Sequence, residues 1–112
     1  MRKLLLIDYG CRGIFKGWRK KRIELLGYKI EFIPKAITRF DVLVKEYVLK
    51  KDGILVTYDV HHFRNWDRAI CLNIRDRYEE QMTDLIRSFG KWCRGDVKST
   101  HAMPLANPRF IT

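Results

Sequence analysis

The sequence predicts an α/β fold, a three-layer α/β/α sandwich around a four-stranded parallel sheet in the strand order 2-1-3-4. Three observations carry this expectation. Two short apolar runs, Leu4-Leu5-Leu6-Ile7 and Ile54-Leu55-Val56-Thr57, each lead into an aspartate, Asp8 and, after Tyr58, Asp59. That is the form of a buried parallel strand ending in a loop. Strand and helix signals alternate as β-α-β-α-β-α-β-α, the pattern of a parallel sheet covered by helices. With 112 residues, the chain has room for one core and not two. Right-handed crossovers leave few topologies. One in which the chain reverses direction after strand two sets strands one and three side by side. Asp8 and Asp59 then lie on the carboxyl edge, where open α/β sheets bind ligands.

Strand one is expected over residues 3–8, followed by a turn containing Gly10 and Gly13. A helix over 14–26 would place Ile14, Phe15, Trp18, Leu25 and Leu26 on its apolar side, with Gly27 as its stop. Residues 28–33 alternate loosely and read as strand two, ended by Pro34. The second helix starts at Thr38-Arg39-Phe40-Asp41 and runs to about Lys51, with Phe40, Leu43 or Val44, and Tyr47 or Val48 inward. Asp52-Gly53 is a turn before strand three. Residues 59–67 read as a loop with a helical turn, 69–74 as strand four and 76–93 as a last helix stopped by Gly95. The expected organisation is one α/β domain over residues 1–95 and a proline-containing C-terminal tail over 96–112.

The formal net charge of +10 favours polyanionic partners, nucleic acid before an anionic membrane surface. No apolar run approaches the roughly 18 residues of a spanning helix, and the run after Met1-Arg2-Lys3 ends too soon for a signal peptide, so a cytoplasmic location is expected. Cys11, Cys71 and Cys93 are odd in number and widely spaced, which argues for reduced thiols and against a disulfide framework. Serine-nucleophile and nucleotide-triphosphatase patterns are absent. No histidine or cysteine pair has zinc-site spacing.

Asp41, at the start of the second helix, joins Asp8 and Asp59 on the same predicted edge. Carboxylates crowded together repel one another, and a hard divalent cation relieves that. Such a cation also neutralises charge on a phosphodiester transition state. Asp41 has a structural rival role, because Thr38-x-x-Asp41 fits a capping box. The basic residues Lys16, Arg19, Lys20 and Arg22 of the first helix, with Arg64 and Arg68, are the candidate nucleic-acid contacts.

These residues resemble a known family. Leu5-Leu6-Ile7-Asp8, then Gly27-Tyr28-Lys29-Ile30, then Asp41 opening a helix, then Ile54 to Asp59 eighteen residues on from Asp41, look like a compact PIN domain of the toxin–antitoxin type. The resemblance covers roughly residues 3–94 and implies a Mg²⁺- or Mn²⁺-dependent endoribonuclease. In that reading Asp8, Asp41 and Asp59 are metal ligands and catalytic residues, RNA is preferred over DNA, an inhibitory protein binds the domain, and the domain can form a homodimer. The chain departs from the family pattern at two places. His61 stands where a further acidic residue often follows Asp59, and Tyr9 stands where short relatives carry an acid after Asp8. Asp67 is therefore a candidate for the fourth carboxylate, and His61, taken as catalytic, or His62 could substitute as a ligand or general base. The competing expectation is a non-catalytic α/β module that binds nucleic acid or a protein partner.

Overall fold

A computed structural model describes residues 4–94, with side chains from 4 to 89. Expectations for the tail, residues 96–112, and for the side chains of Trp92 and Cys93 lie outside the described residues. The strands are β1 (Leu4–Ile7), β2 (Lys29–Phe32), β3 (Ile54–Thr57) and β4 (Ala69–Cys71). The helices are α1 (Trp18–Leu25), α2 (Asp41–Lys51), α3 (Val60–Phe63) and α4 (Tyr78–Arg94), with a 3₁₀ helix at Tyr9–Ile14. The sheet has four strands, all parallel, in the order β2-β1-β3-β4. Among the described residues no helix is long and apolar enough to cross a membrane. By its internal contacts the chain forms two compact units, Met1–Val56 and Thr57–Thr112.

In the first unit β1 is the centre. All four of its residues are buried, and it pairs in parallel with β2 (Ile7 opposite Phe32) and with β3 (Ile7 opposite Val56). The Asp8 amide donates to the Val56 carbonyl at 2.9 Å, so the β1 and β3 pairing continues past the last residue of β1. The Ile33 amide donates to the Ile7 carbonyl at 2.9 Å on the other side. α2 buries Val44 and Val48, while Phe40 and Leu43 are exposed, which resolves the alternatives of the sequence reading. Tyr47 Oη donates to Glu31 Oε1 at 2.9 Å and Lys51 Nζ pairs with the same oxygen at 3.1 Å, tying α2 to β2. Lys51, then Tyr47, hold the Glu31 carboxyl below its ordinary range.

The helix expected over residues 14–26 is divided. Gly17 adopts a positive φ of 58°, a conformation that glycine takes at little cost, and α1 starts only at Trp18. Ile14 and Phe15 are buried ahead of the helix, and Ile23 is its buried residue. Trp18 (54% exposed), Leu25 (77%) and Leu26 (46%) do not face a core as expected. Gly27, with φ 96°, ends the segment as read from the sequence. The expected capping box at α2 does not form. Phe40 is the N-cap residue and makes no side-chain cap bond, and Asp41 is the first helical residue.

In the second unit the Leu72 amide donates to the Thr57 carbonyl at 2.9 Å. α3 buries Phe63, and α4 buries Met82, Leu85 and Phe89. The same helix α4 buries Gln81, Asp84 and Ser88. Gln81 accepts from Tyr58 Oη at 2.7 Å and donates to the Asp76 carbonyl at 2.8 Å. Ser88 Oγ donates to the Asp84 carbonyl at 2.9 Å. These bonds offset the cost of burying the Gln81 and Ser88 side chains, which would be about 1–3 kcal/mol for each polar group left unsatisfied.

Candidate functional site

Asp8 ends β1 and begins the 3₁₀ helix as its N-cap, accepting the Tyr9 amide on Oδ1 at 2.9 Å. The Thr38 hydroxyl donates to the same oxygen. Thr38, read from the sequence as half of a capping box, is therefore a partner of Asp8. The parallel pairing of β1 and β2 explains this: both strands leave the sheet at the same edge, and the turn after Pro34 brings residues 35–38 over the end of β1.

The 3₁₀ helix also organises Tyr9 and Arg12. Residues three apart eclipse one another in a 3₁₀ helix, and the Arg12 guanidinium carbon lies 3.5 Å from the centre of the Tyr9 ring. Lys35 Nζ approaches the same ring at 5.4 Å. Arg12, chiefly by hydrogen bonding to the phenol, and Lys35 hold the Tyr9 hydroxyl below its ordinary pKa. Arg12 and Lys35 are exposed, and Tyr9 is half-buried. Sequence reasoning missed Arg12 and Lys35, because a lone arginine in a turn and a lone lysine after a proline carry no pattern.

Asp59 is held within the second unit. Its amide donates to Oγ1 of the buried Thr57 at 3.0 Å, and its carboxylate caps α3 by accepting the His62 amide at 3.0 Å. His62 Nδ1 lies 2.8 Å from Asp59 Oδ2 and 3.0 Å from Oδ1. Of the two histidines offered by the sequence, His62 is the one bonded to this aspartate. The His61 ring packs edge-on to His62, with centroids 4.9 Å apart. The cause is helical spacing, since the side chain three residues after an N-cap reaches back to it. In the tautomer that donates Nδ1–H to Asp59, the His62 Nε2 is a proton acceptor.

Cys71 Sγ is 4.0 Å from the Asp59 carbonyl oxygen. Burial, followed by the Asp59 carboxylate, pushes its thiol up to about 12, against a smaller opposing effect of Arg64. Cys71 is thus a protonated core thiol and a poor metal ligand at neutral pH.

Among the basic residues expected to meet nucleic acid, Lys16, Arg22 and Arg64 are exposed, and Lys20 and Arg68 are half-buried. Arg19 is engaged structurally. Its Nε donates to the Ile14 carbonyl at 2.8 Å and an Nη to the Gly13 carbonyl at 3.1 Å, capping the end of the 3₁₀ helix. Asp67 is exposed. Asp41 is half-buried in the first turn of α2, where a carboxylate complements the helix dipole.

The fold and these side chains define an α/β chain with a four-strand parallel sheet whose first and third strands are followed by aspartates. No family model, curated protein or solved structure matches this chain.

Proposed function

We propose that the protein is a metal-dependent nuclease of PIN-like architecture acting on RNA. The observation that supports this most is the parallel pairing of β1 and β3, extended by the Asp8 amide to Val56 carbonyl bond, because Asp8 and Asp59 then follow adjacent strand ends. In this reading Asp8, Asp41 and Asp59 are the metal ligands, and His62 is the partner of Asp59. The donor set fits a hard divalent ion. Carboxylate oxygens suit Mg²⁺ and Mn²⁺.

Such an ion, when bound, supplies charge neutralisation at the scissile phosphate and a more acidic water. The protein's own part is to orient and to move protons. Thr57 fixes the Asp59 backbone amide, the α3 cap fixes its carboxylate, Asp59 orients the His62 ring, and Nε2 of His62 carries a proton to or from the phosphate oxygens. Thr38 and the Tyr9 amide fix Asp8 in the same manner.

The test is cleavage of a labelled single-stranded RNA in Mn²⁺ by the wild type, D8N and D59N. Asparagine is as good an N-cap as aspartate, so both variants should fold and neither should cleave. Undiminished cleavage by the doubly substituted protein would refute the proposal.

A second reading has its own support. Asp8 and Asp59 both serve as cap residues, a sufficient structural reason for their presence. A non-catalytic nucleic-acid-binding module would bind RNA equally in EDTA and in Mn²⁺ and would cleave in neither.

A further inference from the structure

We propose that Tyr9, Arg12 and Lys35 form a phosphate clamp beside Asp8 that takes a backbone phosphate of a single-stranded nucleic acid. The proposal rests on the nucleic-acid part of the proposed function and not on cleavage.

The three residues belong to one unit and come from two segments that the sheet brings to one edge, the 3₁₀ helix after β1 and the turn after β2. Two cations converge on a single ring, Arg12 at 3.5 Å and Lys35 at 5.4 Å. Both are exposed, and among the described residues neither forms an ion pair with a carboxylate. Two like charges held at one ring repel one another. The electron-rich ring face offsets part of that repulsion. An anion between them would offset the remainder.

A guanidinium carries five N–H donors in a rigid fork, so Arg12 keeps donors for two phosphate oxygens beside its bond to the Tyr9 phenol. Lys35 adds a second positive charge near the same ring. A phosphate, with two unesterified oxygens even as a diester, can satisfy both. The net charge of +10 and the exposed Lys16 and Arg22 of the same unit favour a polyanion over a single small ion. The clamp also gives a reason for tyrosine at position 9. An acid after Asp8 would repel the phosphate, and Tyr9 replaces it with a ring that positions Arg12.

The experiment is fluorescence anisotropy of a labelled single-stranded RNA with the full chain in EDTA, at several salt concentrations. The variants are R12Q/K35Q, Y9L and a control of equal charge loss elsewhere in the unit, K21Q/K50Q. Each phosphate contact contributes about 0.7 to the log–log salt slope for a single strand. R12Q/K35Q should weaken binding about tenfold or more and lower the slope by about 0.7–1.4, and K21Q/K50Q should change it far less. Y9L, which keeps both charges, should weaken binding several-fold with the slope nearly unchanged.

Equal losses in the clamp and control variants would show a diffuse basic field and overturn the proposal. So would tighter binding of a polyaspartate peptide than of RNA with the same variant sensitivity, which would assign the cations to an acidic protein. Saturation of the clamp by millimolar inorganic phosphate, with no RNA binding, would overturn the polynucleotide assignment. Clamp-dependent binding without cleavage in Mn²⁺ would uphold the clamp while the nuclease reading fails. Cleavage retained with clamp-independent binding would give the reverse.

Discussion

His62 Nδ1 sits 2.8 Å from Asp59 Oδ2, and the same aspartate caps the helix that carries His62. The carboxylate therefore fixes both the backbone and the ring of its partner. His61, one residue earlier, packs its ring against that of His62. The two histidines are adjacent in sequence and unequal in chemistry.

That inequality predicts unequal kinetics. If His62 moves a proton in phosphodiester cleavage, H62Q should lower the single-turnover rate by about 10²–10⁴. H61Q should lower it by less than about tenfold. Single-turnover cleavage of labelled RNA in Mn²⁺ at neutral pH reads both, and a larger loss in H61Q would contradict the assignment.

Gly53 is held by packing. A Cβ at this position would lie 2.8 Å from Leu6 Cδ1 and 3.2 Å from the Leu4 carbonyl oxygen. The leucine tip can move, but the backbone carbonyl belongs to the central strand. G53A should cost about 1–3 kcal/mol, the usual range for overpacking a tight core. Urea unfolding followed by circular dichroism measures it, and a midpoint equal to wild type would show that β1 yields to the extra methyl group.

Cys71 makes the pH prediction. Its thiol is raised by burial to about 12, above its ordinary value of 9.0. A raised pKa gives a contribution to stability that is fully present below the unfolded value and is lost as pH rises from about 9 through about 12. At about pH 8 the folded chain should leave Cys71 unalkylated by iodoacetamide over a time in which urea-unfolded chain reacts fully. Peptide mass spectrometry reads the site, and rapid labelling of Cys71 in folded protein would show the thiol to be exposed or ionised.

The strands and their order are legible because β1 and β3 are short, continuous apolar runs with turn residues at their ends, and because parallel crossovers permit few arrangements. The stop at Gly27 and the short helix after Asp59 are legible for a similar local reason. The first helix is not. Spacing places Trp18 and Leu25 in the core, but the φ of 58° at Gly17 separates Ile14 and Phe15 from the helix, leaving Trp18, Leu25 and Leu26 exposed. Periodicity records which residues are apolar, and it does not record where a backbone turns.

The sequence by itself determined the α/β class, the parallel strand order, the excess of positive charge and the aspartates that follow strands one and three. Each is a property of residue type along the chain or of chirality at a crossover. Only the tertiary structure decided that Thr38 serves Asp8 and not Asp41, that Arg19 is committed to backbone carbonyls, and that Arg12 and Lys35 meet over Tyr9. Those pairings depend on which segments leave the sheet at the same edge and on the three-residue repeat of a 3₁₀ turn. Neither distance nor direction between remote side chains is encoded until the backbone closes around them.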